Sequence, residues 1–331
     1  MDSDTRNDRP VVATVRAYAN IALAKYWGKI DAELNLPAVP SISLTLDALR
    51  TDTRLTLDSE LATDVITIDG TAQPTERSAD AIDVLTRVRA RAGSRCCARV
   101  ESTNHFPTAS GLASSASGFA ALVTAAAQAY GAALTSSERS AIARRGSASA
   151  ARSIFGGWVE LPAGAPGDDS LAARPFAPAA HWDVAMVIAI VSREAKKVSS
   201  RRGMSETSRT SPYYPPWLAN APLLAREVRD GVLARDLARV GEAMEASTAA
   251  MHASAWAARP SIRYALPASL ELLAEVERLR ATGTAAYATM DAGPHVKVLC
   301  ARVDEDRVSS ALRTCPGVLD VLIAHAGEDA A

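Results

Sequence analysis

The order of predicted strands and helices constrains the fold of this chain more than any other feature of its sequence. Strand-like segments are apolar or alternate with polar residues, whereas helical segments repeat apolar residues every three to four positions. The predicted strands are 11–18, 41–46, 54–58, 97–102, 156–161, 182–191, 285–290, 296–301 and 318–324. The predicted helices are 79–92 with Ser78 as N-cap, 111–130, 136–145 with a serine cap, 216–229, 233–252, 267–281 and 307–312. No regular β–α–β rhythm appears, so the pattern predicts an α+β fold with helices packed on largely antiparallel sheets.

The length predicts two lobes around a cleft. A chain of 331 residues with 48% hydrophobic content can bury a large core. The Pro-, Gly- and Asp-rich stretch 162–181 is typical of an excursion or a lobe boundary. We therefore predict an N-terminal lobe at 1–183 and a C-terminal lobe at 184–331. The polar segment 199–210 is predicted to be a flexible loop near the cleft.

Charge and cysteine content restrict the possible partners and compartment. A net charge of −1 with interspersed charges argues against nucleic-acid and membrane-surface partners. No apolar run approaches the ~20 residues that span a bilayer, and residues 1–10 lack the apolar core of a secretory signal. Cys96, Cys97, Cys300 and Cys315 have no metal-binding spacing. We expect four reduced thiols in a cytoplasmic protein.

Lysine is rare in this chain. Of 36 basic residues, five are lysine, namely Lys25, Lys29, Lys196, Lys197 and Lys297. Because arginine serves almost everywhere else, a lysine can mark a place where a compact point charge is needed. Chance is the alternative explanation for any single one, and no chemistry is assigned to Lys196 or Lys197.

A Gly/Ser-rich segment, 107–118, lies between a predicted strand and a long predicted helix. Gly111 and Gly118 permit close backbone approach, and a helix N-terminus supplies unpaired N–H groups. Ser114, Ser115 and Ser117 add hydroxyls. The segment predicts a polyphosphate site that helps to place Mg²⁺, although a serine-rich helix cap is the alternative. It is not a P-loop, because no Gly-Lys-Ser/Thr follows.

Three further segments carry candidate chemistry. Lys25 and Lys29 flank Tyr26-Trp27, and two ammonium groups four residues apart favour a nearby anion, unless both are solvated around a buried tryptophan. Arg152, after Ser147 and Ser149, could hold an anion bidentately or be an ordinary surface arginine.

Asp291 ends a predicted strand before a Gly-Pro turn. This position favours a general base or an acid that orients a phosphate, with a turn-forming aspartate as the alternative.

Together these segments resemble the mevalonate diphosphate decarboxylases of the GHMP kinase superfamily. The matching pieces, in the family's order, include ANIALAKYWGKIDAELNLP, ESTNHFPTASGLASSASGFAAL, RRGSASAARSIFGGWVEL and YATMDAGPHVKVL. They run from residue 19 to residue 299 and therefore cover nearly the whole chain. The resemblance implies a GHMP kinase fold. Its N-terminal lobe would be ribosomal-protein-S5-like and carry the phosphate loop, its C-terminal lobe would be ferredoxin-like, and the active site would lie between them.

The resemblance also implies a reaction. ATP phosphorylates the 3-hydroxyl of mevalonate 5-diphosphate, and loss of this phosphate and of CO2 gives isopentenyl diphosphate and ADP in isoprenoid biosynthesis. By position, Asp291 matches the catalytic aspartate that deprotonates or orients the hydroxyl. Arg152 matches the arginine near the substrate carboxylate, and Lys25 matches the lysine near the transferring phosphoryl group.

The remaining site residues are implied in the same way. Substrate-binding positions are Tyr26, Lys29, Ser147, Ser149, Arg152 and Ser211. Positions for ATP and its phosphates are Ser102, Asn104, Gly111, Leu112, Ala113, Ser114, Ser115 and Ser117, with Ser115 also near Mg²⁺ and Asn20 as a nucleotide-side or support position. The expected partners are small molecules, and the family is commonly a homodimer.

Two departures keep one alternative open. Some family members carry arginine where this chain has Ile30 and Pro212, so a mevalonate 5-phosphate decarboxylase that forms isopentenyl phosphate remains possible. A mevalonate 3-kinase is disfavoured because Lys25, Arg152 and Asp291 are all present. A non-catalytic ligand-binding regulator is disfavoured because the phosphate loop is intact.

Overall fold

The computed structural model describes residues 11–106 and 114–331. Its strands are β1 (Val12–Ala24), β2 (Lys29–Asp31), β3 (Leu36–Pro37), β4 (Ser41–Asp58), β5 (Val65–Ile68), β6 (Thr71–Ala72), β7 (Cys97–Asn104), β8 (Trp158–Leu161), β9 (Arg174–Ala177), β10 (Val184–Ile190), β11 (Ala286–Met290), β12 (Val296–Ala301) and β13 (Asp320–Ala324). Its helices are α1 (Thr75–Arg91), α2 (Ser114–Tyr130), α3 (Ser136–Gly146), α4 (Ser200–Thr210), α5 (Tyr214–Ala234), α6 (Leu237–Trp256), α7 (Pro267–Ala281) and α8 (Glu305–Arg313). Short 3₁₀ helices span Ala148–Ile154, Ala179–His181 and Arg302–Asp304.

The first sheet has the strand order β6-β5-β7-β4-β8-β9. The seventh strand, β1, lies off this linear order and pairs with β4. The predicted strands 41–46 and 54–58 are in fact one strand, so their separation was wrong. β4 remains continuous because β8 pairs with its first residues and β7 with its last ones, while β1 runs antiparallel along most of its length. β9 lies inside the predicted excursion 162–181 and pairs with β8.

Helix α2 packs against β1 and β4 through alanines in the first core. Ala120, Ala121 and Ala125 are fully buried, and their small side chains let the helix lie close to the sheet. This packing determines which part of α2 reaches the functional site, because the helix cannot rotate without exposing its alanine face.

The second sheet is antiparallel, with the order β11-β12-β10-β13. Helices α7 and α8 cover one of its faces in a separate core. A further core joins α5 and α6 to residues of both sheets, including Ile21 of β1 and Met186 of β10. Sequence-distant segments are thereby held next to each other. The largely antiparallel α+β arrangement predicted from the sequence is confirmed, with the β5–β7 pair parallel.

The chain end returns to the first sheet. The backbone N–H of Arg16 donates to the carbonyl of Ala331 at 2.8 Å, and Leu46 bridges to Ala326. The boundary predicted at residue 183 falls between β9 and β10, and the division into lobes stays a prediction. Within residues 11–106 and 114–331, no helix is long and apolar enough to cross a membrane.

Three local predictions were wrong. Ser78 is not an N-cap, because α1 begins at Thr75 and the Ser78 hydroxyl donates to the carbonyl of Pro74. Helix α3 is capped by Thr135, in a capping box with Glu138, and not by a serine. Segment 199–210 is not a flexible loop but helix α4, whose N-cap hydroxyl accepts from the backbone of Arg202.

Candidate active site

A pocket forms where the end of β1, the N-terminal part of α2, the 3₁₀ helix Ala148–Ile154, the start of α4 and the turn after β11 meet. Its lining includes Asn20, Lys25, Tyr26, Lys29, Asn35, Asp80, Ser115, Ser147, Ser149, Arg152, Lys196, Ser199, Ser200, Arg201, Met251 and Asp291. Among the described residues, five cationic side chains line the pocket and two carboxylates oppose them. This excess of positive charge suits a polyanionic ligand.

Lys25 follows the last residue of β1 and lies inside the protein. Its Nζ donates to the carbonyl of Ala22 at 2.9 Å and to Oδ1 of Asp291 at 2.7 Å. Its backbone N–H donates to the Ser247 hydroxyl of α6 at 2.9 Å. Burial lowers the pKa of Lys25 to about 8, although the charge of Asp291 acts in the opposite direction. The alternative of a solvated lysine is wrong, since its side chain is 1% exposed.

Asp291 follows the last residue of β11 and is held by two lysines. Lys297 of β12 donates to its Oδ2 at 2.9 Å, while Lys25 occupies Oδ1. Burial raises the pKa of Asp291, but the charges and hydrogen bonds of the two lysines outweigh burial and hold that pKa well below its usual range. The carboxylate therefore stays ionised and acts as a hydrogen-bond acceptor toward the pocket.

Arg152 extends from the 3₁₀ helix and is buried, with no direct anionic partner among residues 11–106 and 114–331. It donates to the hydroxyl of Ser41 at 2.6 Å, to that of Ser43 at 2.9 Å and to Oδ1 of Asn20 at 3.2 Å. Burial lowers its pKa to about 10, so it remains charged at neutral pH. The alternative of a surface arginine is wrong. A guanidinium held by neutral groups beside a pocket is ready to bind an anionic ligand.

The turn after Lys25 is anchored in an aromatic core. Trp27 packs with Tyr214, Trp217 and Tyr264, and the indole N–H of Trp217 donates to the Trp27 carbonyl at 2.7 Å. Gly28 has φ of +109°, and a Cβ there would collide with the Tyr214 hydroxyl. The glycine is therefore required for this turn, which places the side chains on either side of it.

Tyr26 and Lys29 both line the pocket. The Tyr26 hydroxyl is buried and has no hydrogen-bond partner in the described part of the chain, and burial raises its pKa. Lys29 donates to Oδ1 of Asn35, and burial lowers its pKa to about 8, with the charge of Arg201 adding to this effect. Among the described residues, Lys29 forms no ion pair, so both the Tyr26 hydroxyl and the Lys29 ammonium can interact with a ligand in the pocket.

The predicted phosphate segment is only partly described. Gly111, Leu112 and Ala113 lie outside the described residues. Ser115 lines the pocket, and its hydroxyl lies 3.4 Å from that of Ser147, which in turn lies 3.0 Å from that of Ser149. The structure therefore brings three predicted hydroxyls together beside Arg152, at the N-terminal part of α2.

Several other predicted site residues do not line the pocket. Ser117 is fully buried and bonds to the hydroxyl of Thr51 at 2.7 Å, and its neighbour Ser114 is outside the pocket lining. Ser102 bonds to Thr53 on β4, and Asn104 pairs with Thr51 and Asp69. Ser211 caps the end of α4 and accepts from the backbone of Tyr213. None of these hydroxyl or amide groups belongs to the lining of the pocket, whereas Asn20 does and supports Arg152.

The sequence interpretation missed several residues of the site. Lys297 received no role, although it touches the central carboxylate. Lys196 lines the pocket and donates to the Ser200 hydroxyl at 2.8 Å, and Arg201 bonds to Asp80 of α1 at 2.7 Å. The scarcity of lysine was the signal that could have identified Lys196 and Lys297, since four of the chain's five lysines lie in or directly behind the pocket.

Comparison with known proteins matches nearly the whole chain. Residues 17–172 match the family described as "Diphosphomevalonate decarboxylase-like N-terminal domain", and residues 186–322 match "Mevalonate 5-diphosphate decarboxylase C-terminal domain". The Candida albicans diphosphomevalonate decarboxylase is 36% identical over 316 residues, covering 91% of this chain and 87% of the relative. The Homo sapiens diphosphomevalonate decarboxylase is 35% identical over 315 residues, covering 88% and 78%.

Solved structures are similar over almost their full length. The structure of MDDEF in complex with MVAPP, AMPPCP and magnesium has a TM-score of 0.90 and 39% identity, covering 98% of this chain and 99% of that one. The mevalonate diphosphate decarboxylase from Staphylococcus aureus has a TM-score of 0.91 and 35% identity, covering 97% of each chain.

Proposed function

The chain belongs to the diphosphomevalonate decarboxylase family, and from this premise we propose that it decarboxylates mevalonate 5-diphosphate in an ATP-dependent reaction. The products are isopentenyl diphosphate, ADP, phosphate and CO2, and the reaction belongs to the mevalonate pathway of isoprenoid biosynthesis. The predicted GHMP kinase fold is confirmed by the similar solved structures.

One observation carries the proposal. A single pocket gathers an ionised Asp291, the buried cations Lys25 and Arg152, and the Ser115 hydroxyl near the start of α2. These groups come from segments far apart in sequence. The reaction requires this combination, because a hydroxyl, a carboxylate and several phosphates must lie close together without mutual repulsion preventing the chemistry.

Asp291 acts on the 3-hydroxyl of the substrate. Its pKa lies so far below the usual range that it is a poor store for a proton at neutral pH. Its role is to accept the hydrogen bond of the hydroxyl and to aim the oxygen at the γ-phosphorus. As the new O–P bond forms and the bond from the γ-phosphorus to ADP breaks, the proton moves along this hydrogen bond and passes by way of Asp291 to a phosphate oxygen. Lys25 donates to Oδ1 of the same carboxylate. It stabilises the negative charge that develops on the 3-oxygen of the substrate and on the transferred phosphoryl group.

The second half of the reaction makes use of the phosphate that has been added. The C3–O bond breaks and its electron pair leaves with phosphate, while the pair of the C1–C2 bond becomes the C2–C3 double bond and CO2 departs. Arg152 holds the carboxylate before this step, because a guanidinium can bind it through two parallel N–H donors. The remaining pocket cations, Lys29, Lys196 and Arg201, offset the charge of the substrate diphosphate and of the nucleotide.

The nucleotide phosphates bind toward the start of α2. Ser115 and Ser147 line this part of the pocket, and the N-terminus of a helix attracts anions. No group of three or more His, Cys, Asp or Glu side chains within residues 11–106 and 114–331 could hold a metal ion. The Ser115 hydroxyl in the pocket fits as the protein ligand of a Mg²⁺ ion that ATP would bring with it. When bound, Mg²⁺ neutralises phosphate charge.

Two further proposals concern the protein as a whole. We place it in the cytoplasm, because Cys96, Cys97, Cys300 and Cys315 are all free.

A homodimer is the assembly implied by the family resemblance. Light scattering coupled to size-exclusion chromatography tests this, and a monomer at micromolar concentration would contradict it.

Product analysis tests the proposed reaction. The purified chain is incubated with ATP, Mg²⁺ and either mevalonate 5-diphosphate or mevalonate 5-phosphate, and released ADP and CO2 are measured. We expect equal amounts of ADP and CO2 with the 5-diphosphate. ADP without CO2 would instead indicate a 3-kinase. Release of CO2 with the 5-monophosphate but not with the 5-diphosphate would favour the alternative enzyme that forms isopentenyl phosphate. If neither substrate gives ADP or CO2, the protein is non-catalytic.

A further inference from the structure

Lys297 is the second lysine on the Asp291 carboxylate and lies behind it rather than in the pocket. It extends from β12, where its backbone faces Thr289 of β11 across an antiparallel pair. Its Nζ donates to Oδ2 of Asp291 at 2.9 Å, and its side chain is fully buried. Because Lys297 is not part of the pocket lining, it is not placed to bind a ligand.

We propose that Lys297 is a positioning residue, which fixes the carboxylate of Asp291 for the substrate hydroxyl. This inference rests on the decarboxylase function proposed above. A carboxylate offers about four lone-pair directions, and the two lysines occupy one on each oxygen. With both oxygens bonded, the carboxylate cannot rotate about its Cβ–Cγ bond, so its remaining lone pairs keep one direction relative to the pocket.

The two lysines differ in the part of the chain that carries them. Lys25 follows β1 of the first sheet and is 266 positions from Asp291 in sequence, so this contact depends on how the two halves of the pocket meet. Lys297 is six positions away, in the same β-hairpin as Asp291. Its contact with Asp291 therefore depends on the geometry of this hairpin and not on how β1 packs against the second sheet.

The charges around Asp291 support this assignment. Burial lowers the pKa of the two nearby histidines, His252 to about 4 and His295 to about 3, so both are neutral near pH 7. Within the part of the chain described, four cations then act on the charge of Asp291, namely Lys25, Lys297, Arg152 and Lys196. Of these four, Lys297 is the one outside the pocket lining. The Lys297 ammonium therefore acts on the Asp291 carboxylate and does not contact a ligand in the pocket.

The test replaces Lys297 by methionine, which keeps the length of the side chain and removes its charge. We expect kcat to fall about 10- to 100-fold, as for partners that orient a reacting group, while the KM values for ATP and mevalonate 5-diphosphate change little. Loss of one of the two cations raises the pKa of Asp291, so the acid limb of the kcat profile should move to higher pH. The exposed Lys197, changed to methionine, is the matched control.

The outcomes separate the two proposals. If the wild-type chain releases no CO2, the proposed function fails, whatever Lys297 does. If the wild type is active and a folded K297M variant keeps both kcat and the acid limb, the positioning role is refuted. A rise in KM without a fall in kcat would also refute it, because Lys297 would then act on the ligand. Lys297→Gln, which keeps a polar N–H donor but carries no charge, provides a second variant if K297M does not fold, and it should show the same shift of the acid limb.

Discussion

Replacing Asp291 by asparagine should impair both catalysis and stability for one electrostatic reason. The carboxylate is the direct counter-ion of Lys25 and Lys297, whose side chains are 1% and 0% exposed. An asparagine amide can accept a hydrogen bond from one of these lysines through its oxygen. Its NH₂ group would then face the second ammonium, and both buried charges would lose their anion.

The magnitudes follow from this geometry. Removing one partner of a buried ion pair costs about 3–5 kcal/mol. Because the Asp291 side chain is itself 24% exposed, we expect the lower value, about 3 kcal/mol, or roughly 5 °C in melting temperature for a chain of this size. In catalysis, loss of an acid–base group costs ~10²–10⁴ in rate. Because orientation of the hydroxyl is lost as well, kcat should fall by more than about 10⁴-fold.

The assay combines steady-state release of ADP and CO2 with thermal unfolding at several pH values. Burial lowers the pKa of Lys25 to about 8 in the wild type, and loss of the Asp291 anion lowers this pKa further in the variant, below the unfolded value of about 10.4. The penalty for keeping Lys25 charged is fully present below this folded-state pKa and decreases as the pH rises through it toward about 10.4. The stability difference between wild type and variant should accordingly narrow at pH 9.

A surface acid provides the control for this prediction. Asp58 pairs with the exposed Arg99 at 3.3 Å on the first sheet. Asp58→Asn should change the free energy of unfolding by roughly 0–1 kcal/mol and leave kcat unchanged. If D291N kept kcat within tenfold of wild type, or melted at the wild-type temperature at pH 7, the reasoning about the two buried lysines would be refuted.

Three further predictions concern other parts of the site. Burial lowers the pKa of Lys25 and Lys29 to about 8, and a bound polyanion raises it, so substrate binding should take up protons near pH 8 and KM should rise above that pH. Calorimetry in buffers of different ionisation enthalpy measures this uptake, and buffer-independent heats would contradict it. Arg152→Lys should lower kcat/KM about 10²- to 10³-fold, measured by steady-state kinetics, because lysine lacks the planar donor fork; near-wild-type kcat/KM would argue against carboxylate binding. Gly203→Ala should destabilise the chain by about 1–3 kcal/mol in denaturant unfolding, because its Cβ would lie 2.5 Å from the Tyr264 hydroxyl; unchanged stability would show that this contact relaxes.

Local signals in the sequence predicted much of the secondary structure. The apolar run of β10 and the alternating pattern of β1 depend on burial of neighbouring residues along one strand, which a single sequence shows directly. The polar composition of α4 concealed its helix. Ser199 caps α4, and its Gly203 packs against Trp27 and Tyr264 from elsewhere in the chain. No pattern within the segment itself shows those partners.

For the site too, the sequence determined some features and the tertiary structure decided the others. The family resemblance in the sequence was enough to predict that Lys25, Arg152 and Asp291 lie together, and all three line one pocket. Only the tertiary structure decided that Lys297 bonds to Asp291, and that Ser115 lines the pocket while Ser117 turns into the core. The physical reason is that motif spacing is a property of neighbours along the chain. Which atom meets which depends on how β12, α2 and the end of β1 pack, and those segments are distant in sequence.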